Sequence, residues 1–141
     1  MEQNTDKEEK FNLPRDEMAI RAPYWNFVES EELKTVFRPG DRRCGTFRSY
    51  CPDEKITLRL LNKIGADWAK VPPVFDENKK KSVIIKTVEV IPIEKINKDH
   101  FKGSSPDIHD LESLLFHIAL VYNLDIGEIK EVTRTTFDYI S

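Results

Sequence analysis

Four arginines lie within the eleven positions of the segment RPGDRRCGTFR, residues 38–48, although the chain carries a formal net charge of −3. They are Arg38, Arg42, Arg43 and Arg48. A guanidinium group offers a planar fork of donors that matches phosphate and carboxylate, and it also stacks on nucleobases. Gly40 and Gly45 let the backbone approach a ligand closely, and Thr46 adds a hydroxyl. We interpret the segment as an anion-binding site; a solvated basic turn is the alternative.

Two tryptophans are candidates for stacking on a base. Trp25 lies in the stretch PYW and Trp68 in the stretch GADW. An exposed indole beside a basic pocket can hold a single-stranded or extruded base, whereas a position in the core is the ordinary alternative for any tryptophan. We expect a ligand cleft between the arginine segment, a helix beginning at Pro23 and the loop around Asp67 and Trp68.

The histidines do not have the spacing of a metal site. His109 and His117 are eight positions apart on a predicted helix, which separates them by about 80° around its axis, and no HExxH sequence is present. The chain also lacks a phosphate-cradling P-loop, a GxGxxG dinucleotide fingerprint and a GxSxG nucleophile motif. We therefore expect no metal and no cofactor, and we do not expect an ATPase, a dehydrogenase or an α/β-hydrolase.

The composition predicts one domain of ordinary size, since the 141 residues are 39% hydrophobic and 33% charged. Residues 1–16 are polar and are expected to form a disordered or loosely packed tail, with residues 17–141 as a single domain. The acidic balance argues against a protein that coats nucleic acid over its whole surface. We see no secretory signal and no membrane-spanning stretch, and we expect a cytoplasmic protein without membrane contact.

Cys44 and Cys51 are the only cysteines in the sequence. Because no export signal is recognisable, we expect both to be reduced thiols. Their spacing of seven would permit a bridge if the segment folded back on itself.

Hydrophobic patterning predicts strands and helices in alternation. Strands are expected at EMAIR, ITLRLL, KSVIIKTVEVIPI and EVTRTTFDYI. APYWNFVESEEL is typical of a short helix, and KTVF and RCGTFRSY are expected to be extended on either side of an RPGD turn. GADWAKVPPVFDENKKKS is expected to be a long loop or a β-excursion.

The longest helix is predicted in SSPDIHDLESLLFHIALVYNL, with Ser105 as its N-cap and Pro106 in its first position. The resulting order is strand, helix, several strands, helix, strand. It indicates an α+β fold, most simply a small mixed barrel with helices packed at its ends or side.

This order of elements resembles the ASCH domain family of the PUA-like superfamily. That family opens with a short strand, a proline and a helix, and continues with a basic motif G-x-K-x-x-[ET]-x-R and a GD turn into a barrel strand. The corresponding stretches here are MAIRAPYWNFVES, RRCGTFR and PDEKITLRLL, and VEVIPIEKINKDHF followed by LESLLFHIALVYN resembles the family's later strand, loop and helix. The resemblance covers about residues 18–123. It implies a small mixed or antiparallel PUA-like β-barrel with two or three flanking helices.

Two registers place the family's basic motif on this chain. In the preferred one, Arg43 stands at the lysine position, Thr46 at the [ET] position and Arg48 at the final arginine, with the glycine displaced. In the other, KTVFR supplies Lys34 and Arg38 but puts a bulky residue at the [ET] position.

The resemblance also implies an enzymatic alternative. Some proteins with this pattern are amidohydrolases that act on N4-acylated cytidine through the motif lysine, the motif threonine and a glutamate in the loop before the long helix. That loop is INKDHF here, with Lys98 at the glutamate position and Asp99 beside it. An arginine at the lysine position cannot shed a proton at neutral pH. If the chain is an enzyme, its catalytic candidates are Lys34, Thr46 and Asp99.

Our leading hypothesis is therefore non-catalytic binding of RNA or a nucleotide-like anion in an arginine-rich cleft, by a protein assumed to be monomeric. The first alternative is an amidohydrolase that acts on N4-acylated cytidine or a related nucleoside. The second is a protein-interaction domain whose arginines meet an acidic partner.

Overall fold

The structure is a computed structural model that describes residues 16–46, 49–63 and 74–140. It contains five strands, β1 (Glu17–Arg21), β2 (Thr35–Pro39), β3 (Lys55–Lys63), β4 (Val74–Pro92) and β5 (Glu131–Tyr139). The helices are α1 (Trp25–Glu29) and α2 (Leu111–Tyr122), and short 3₁₀ turns lie at Ala22–Tyr24, Ile93–Lys95, Lys98–Phe101 and Ile126–Glu128. Except for Asp16, the predicted tail lies outside the described residues, so the division into a tail and one domain stays a prediction.

The strands form one mixed sheet in the order β1-β3-β4-β5-β2. β1 runs parallel to β3, and the other neighbouring pairs are antiparallel. β4 spans 19 residues, and it pairs first with β3 and then with β5. Register shifts occur on both sides of β4, and such bulges bend a sheet. The sheet curls into a half-barrel, which confirms the predicted α+β fold class.

Residues 74–82 belong to β4, so of the two expectations for this stretch the β-excursion is correct. Residues 64–73 lie outside the described part of the chain. Within the strand, Lys79 pairs with Glu29 at 3.2 Å and Lys81 with Glu31 at 3.3 Å. The lysines of this part of β4 thus face solvent and the acidic residues at and just after the end of α1.

Two apolar clusters pack on opposite faces of the sheet. The α1 cluster includes Val28 of α1 with Phe137 of β5, and the α2 cluster includes Ile118 of α2 with Val132 of β5. Phe137 and Val132 are five positions apart on one strand, so their side chains point to opposite faces. Each of the two helices therefore covers its own side of the sheet.

α2 begins later than predicted because a different residue caps it. The Asp110 side chain accepts a hydrogen bond from the Ser113 N–H at 2.8 Å, and the Ser113 hydroxyl accepts one from the Asp110 N–H at 3.0 Å. This reciprocal capping box satisfies two helix-terminal N–H groups at once. Ser105, the predicted N-cap, instead donates its hydroxyl to Asp107 at 2.7 Å.

A polar group connects the segment before α1 with α2. The Tyr24 hydroxyl donates to Asp107 at 2.7 Å and lies 3.4 Å from Nδ1 of His117. Burial, followed by the hydrogen bond to Asp107, raises the pKa of Tyr24 to about 12. Burial raises the pKa of Asp107, but hydrogen bonds from Ser105 and Tyr24 outweigh that effect and leave it below its usual value. Burial lowers the pKa of His117.

Candidate functional site

The turn after β2 is fixed against β5, and it positions the first arginines. Gly40 has a φ of 76°, which favours glycine over other residues. Its N–H donates to the Glu131 carbonyl at 3.0 Å, and its carbonyl accepts the Thr133 hydroxyl at 2.6 Å. The Arg42 N–H donates to that same hydroxyl at 2.7 Å. Because Thr133 is fully buried, the predicted RPGD turn has a rigid support.

Arg38 lies on β2 opposite Thr133, on the face that carries the α1 cluster. Its guanidinium is centred 5.5 Å from the ring centroid of Tyr50, within the range of a cation–π contact. The Tyr50 hydroxyl donates to the Glu17 carbonyl at 2.6 Å. Tyr50 therefore contacts both edge strands of the sheet, β1 and β2, and holds Arg38 beside the loop.

Arg43 is exposed and already has an anionic partner. Its guanidinium donates to both carboxylate oxygens of Asp41, with the shortest distance at 2.7 Å. These hydrogen bonds hold the pKa of Asp41 below its usual value and raise the pKa of Arg43. Arg43 can therefore offer an anion a planar pair of donors. An incoming anion would have to compete with Asp41 for these donors.

Thr46 lies in a tight turn and not on a strand, contrary to the β-like interpretation of RCGTFRSY. Both its N–H and its hydroxyl donate to the Arg43 carbonyl, at 3.0 and 2.7 Å. The Thr46 carbonyl in turn accepts the hydroxyl of buried Ser49 at 2.7 Å. The Thr46 hydroxyl thus already donates a hydrogen bond within this turn. Among the described residues of this loop, local side-chain bonds replace strand pairing.

The prediction of two reduced thiols is wrong, because Cys44 and Cys51 form a disulfide with their Cα atoms 4.6 Å apart. The turn at Arg43–Thr46 and the bond from Ser49 fold the segment back on itself, which brings the two cysteines together. This is the bridged alternative that their spacing permits. The bridge closes the loop that carries Gly45, Thr46 and the predicted ligand Arg48.

The aromatic candidates do not form a stacking surface in the described part of the molecule. Trp25 is only 4% exposed and belongs to the α1 cluster, so its prediction as a base-stacking residue is wrong. Its buried Nε1 has no hydrogen-bond partner among the described residues. Trp68 and Arg48 lie outside the described residues, and their assignments stay predictions.

The three catalytic candidates are only partly brought together. The Lys34 N–H donates to the Gly103 carbonyl at 2.7 Å, which places Lys34 beside the loop that carries Asp99. Asp99 is highly exposed and lies 3.9 Å from Lys102. Lys34 precedes β2 and Thr46 follows it, and no hydrogen bond or ion pair joins Thr46 to Lys34 or Asp99 within the described ranges. The structure therefore joins the backbone of Lys34 to the loop that follows Asp99, and no hydrogen bond or ion pair among the described residues joins the three candidate side chains to one another.

Three residues that organise this region were not predicted. Thr133 and Glu131 come from β5, and Tyr50 comes from the far end of the loop. The sequence places Tyr50 two positions after Arg48, but only the sheet order brings β5 beside β2. Across residues 16–46, 49–63 and 74–140, no group of histidine, cysteine and carboxylate side chains is arranged to hold a metal. No helix in those ranges has the length and apolar content needed to cross a membrane.

No family model matches the sequence, and no curated protein is similar enough in sequence to be a recognisable relative. Solved structures do resemble it. An ASCH domain from Lactobacillus crispatus is 8% identical, with a TM-score of 0.52 over 99% of this chain and 94% of that one. A protein of Enterococcus faecalis assigned to DUF984 is 11% identical, with a TM-score of 0.52 over 98% of this chain and 88% of that one. A hypothetical protein is 16% identical, with a TM-score of 0.51 over 88% of this chain and 97% of that one.

These likenesses confirm the resemblance to the ASCH domain at the level of the fold. Each likeness extends over at least 88% of this chain, so the similarity concerns the fold as a whole. At such low sequence identity, the shared fold carries no residue roles with it.

Proposed function

We propose that the protein binds RNA or a nucleotide-like anion at the surface formed by Arg38, Arg42 and Arg43 with the backbone of Gly40–Thr46. The observation that carries the proposal is the placement of three arginines around one turn that is held rigidly on β5. The turn contains a single acid, Asp41. Arg48 is included in the proposed site only because of its position in the sequence, since it lies outside the described residues.

The backbone of the same segment is open to a ligand. A Cβ built on Gly40 or on Gly45 would have no atom within 4 Å. A phosphate can therefore approach the main chain there as well as the guanidinium groups, which is how many anion sites combine charge with backbone donors. This arrangement supports a compact phosphate site in an otherwise acidic protein.

Asp41 sets the strength of this site. An exposed ion pair contributes little to folding stability, so an incoming phosphate can take over the Arg43 fork from Asp41 without unfolding the turn. A phosphate also brings more acceptor oxygens than a carboxylate. We therefore expect binding that is modest in affinity and strongly weakened by salt, because each phosphate contact releases counterions.

The test is fluorescence-anisotropy titration of a short single-stranded RNA of mixed sequence against the full chain and the double variant Arg42→Ala/Arg43→Ala. The variant should bind about tenfold more weakly in low salt, since hydrogen bonds to charged groups are being lost. Its affinity should also depend less steeply on salt concentration. Circular dichroism spectra should show that the variant remains folded.

The matched control is Lys79→Ala/Lys80→Ala, which removes two positive charges from exposed positions of β4. This control should retain the wild-type RNA affinity. Equal loss in both variants would mean that only net charge matters, and an unchanged affinity in the arginine variant would refute the site.

One observation favours a second candidate, the amidohydrolase. Lys34 and the loop of Asp99 are in direct contact through Gly103, as described above. Incubation of N4-acetylcytidine with the protein and with Lys34→Ala, followed by chromatography, tests it. Release of cytidine by the wild-type protein and not by the variant would favour hydrolysis over simple binding. Capture of an acidic protein with no nucleic acid retained would instead favour a protein-interaction role.

A further inference from the structure

The disulfide between Cys44 and Cys51 links the proposed anion site to a second turn of the chain. We call residues 40–46 the arginine turn. Cys44 belongs to this turn, whereas Cys51 begins the second one. The Cys51 N–H donates to the Glu54 carboxylate at 2.8 Å, and the Cys51 carbonyl accepts the Glu54 N–H at 3.1 Å. The bridge is therefore a covalent connection between two separate turns.

The two turns are anchored on different strands. The Asp53 N–H donates to the Ile85 carbonyl at 2.7 Å, and the Ile85 N–H donates to the Glu54 carbonyl at 2.9 Å. Because Ile85 of β4 is fully buried, the second turn is fixed to the core of the sheet. The arginine turn is held on β5 instead, through Gly40 and Arg42 as described above.

The second half of the arginine turn, residues 43–46, depends more on the bridge than the first half does. All four of these residues are exposed. The bonds of Thr46 to the Arg43 carbonyl are internal to the turn, and the Ser49 hydroxyl donates to the Thr46 carbonyl from outside it at 2.7 Å. Without the bridge, the position of this half would rest on hydrogen bonds that are local and open to water.

The bridge is accessible to a thiol from the side of Cys44. Cys44 is exposed, whereas Cys51 is half-buried. Arg42 and Arg43 directly precede Cys44 in the chain. Positive charge beside a sulfur attracts an attacking thiolate and stabilises a thiolate that leaves. The surroundings of the bridge therefore favour thiol–disulfide exchange.

We propose that the Cys44–Cys51 bridge is a redox switch of the anion site: the oxidised protein binds RNA or a nucleotide-like anion, and reduction by a dithiol weakens this binding. The inference rests on the proposed function, because it concerns the same arginines. The bridge holds the backbone around Arg43 in place before the anion arrives, so less conformational freedom is lost on binding. Reduction removes this advantage, while Arg42 stays bonded to Thr133.

The reduction proceeds by two exchange steps. A thiolate of the dithiol attacks Sγ of Cys44, and the bond between Cys44 and Cys51 breaks as the new sulfur–sulfur bond forms. The electron pair goes to Sγ of Cys51, which takes up a proton from water. The second thiolate of the reagent then attacks the reagent's own bonded sulfur and displaces Sγ of Cys44, which is protonated in turn. The protein gains two electrons, and the dithiol becomes a cyclic disulfide.

The test is fluorescence-anisotropy titration of the same short single-stranded RNA against the full chain, in its oxidised form and after reduction with dithiothreitol. The reduced protein should bind about fivefold more weakly, and reoxidation with diamide should restore the affinity. Thiol labelling verifies each redox state. Circular dichroism at the assay temperature should show that the reduced protein stays folded.

The matched control for the reagents is the double variant Cys44→Ser/Cys51→Ser. It should bind RNA as the reduced wild-type protein does, and its affinity should respond neither to dithiothreitol nor to diamide. A response of this variant would show that the reagents act elsewhere and would overturn the switch. The variant needs no reagent and the reduced wild-type protein needs no substitution, so either one decides if the other fails to fold.

The outcomes separate the switch from the proposed function. Equal or tighter RNA binding by the reduced protein would overturn the switch, and so would a bridge that dithiothreitol does not reduce in the folded protein. In these cases, weaker binding by Arg42→Ala/Arg43→Ala would leave anion binding intact. Failure of both redox forms to bind RNA would overturn the proposed function itself.

Discussion

At the scale of single residues, Gly103 is the described glycine whose replacement should reduce the stability of the fold most. Its φ is 81°, and an added Cβ would lie 3.0 Å from the Thr35 hydroxyl and 3.2 Å from Cβ of Lys34. Its carbonyl accepts the N–H groups of both Lys34 and Thr35. Gly103→Ala should therefore lower the free energy of unfolding by about 2 kcal/mol, through backbone strain and crowding. Urea denaturation measures this change.

Gly127→Ala is the matched control. Gly127 has no positive φ, and a Cβ there would meet no atom within 4 Å. That substitution should leave stability unchanged or raise it by about 0.5 kcal/mol, because it reduces the entropy of the unfolded chain. Similar effects at both glycines would contradict the close approach of Gly103 to the start of β2.

The tryptophans show why single side chains are hard to assign from the sequence. Patterning places Trp25 correctly within a short helix, but it does not say which way that helix faces. The direction depends on Val28 and Leu33, which pack in the same cluster against strands far along the chain. The core position of Trp25 is therefore known only once the packing of these residues is known.

At the scale of elements, the Cys44–Cys51 bridge should stabilise the arginine loop. It closes a short loop of eight residues, for which the entropy lost by the unfolded chain corresponds to about 2.5 kcal/mol. A dithiol reductant should therefore lower the melting temperature of the protein by several degrees. Differential scanning fluorimetry with and without reductant measures the shift, and thiol labelling before and after reduction verifies the bridge.

The double variant Cys44→Ser/Cys51→Ser is the control for this prediction. It should melt at the temperature of the reduced protein and should no longer respond to reductant. A wild-type protein whose two thiols react fully before any reductant is added would show that the bridge is absent in solution.

Most elements could be predicted from the sequence because their patterns are local. The β-branched run of β4 and the alternation in β3 identify strands without knowledge of the fold. The start of α2 could not be predicted in this way, since Ser105 and Asp110 are both good N-cap residues. Ser113 decides between them because only Asp110 has a partner three residues later for a reciprocal box. The disulfide depends likewise on the turn at Arg43–Thr46, where the sequence pattern favours an extended segment.

At the scale of the whole molecule, the candidate site is assembled by the order of the strands. β2 and β5 are separated by nearly a hundred residues but are neighbours in the sheet. Thr133 and Glu131 therefore support the arginine turn. The sequence shows that this turn is basic, but it does not show which residues support it. The arginines are visible in the sequence, whereas their scaffold is not.

The polar connection between Tyr24, Asp107 and His117 should make the stability of the whole molecule depend on pH. His117 has a folded pKa below the usual 6.5, because burial and, to a smaller degree, Arg21 disfavour its charged form more than Asp107 favours it. Below about pH 6.5 the unfolded chain takes up this proton first, so stability falls as the pH decreases. The lowered pKa of Asp107 acts in the same direction at more acidic pH.

The acid-side loss can be assigned to His117 by substitution. Melting temperatures measured from pH 8 downwards should begin to fall near pH 6.5, and His117→Gln should remove this first part of the decline while leaving the fall at more acidic pH. His109→Gln, at an exposed histidine on the loop before α2, should retain the wild-type profile. Because both apolar clusters pack on the shared strand β5, the loss should appear in one cooperative transition. Two separate transitions in acid, in wild type and variant alike, would show that the two faces unfold independently.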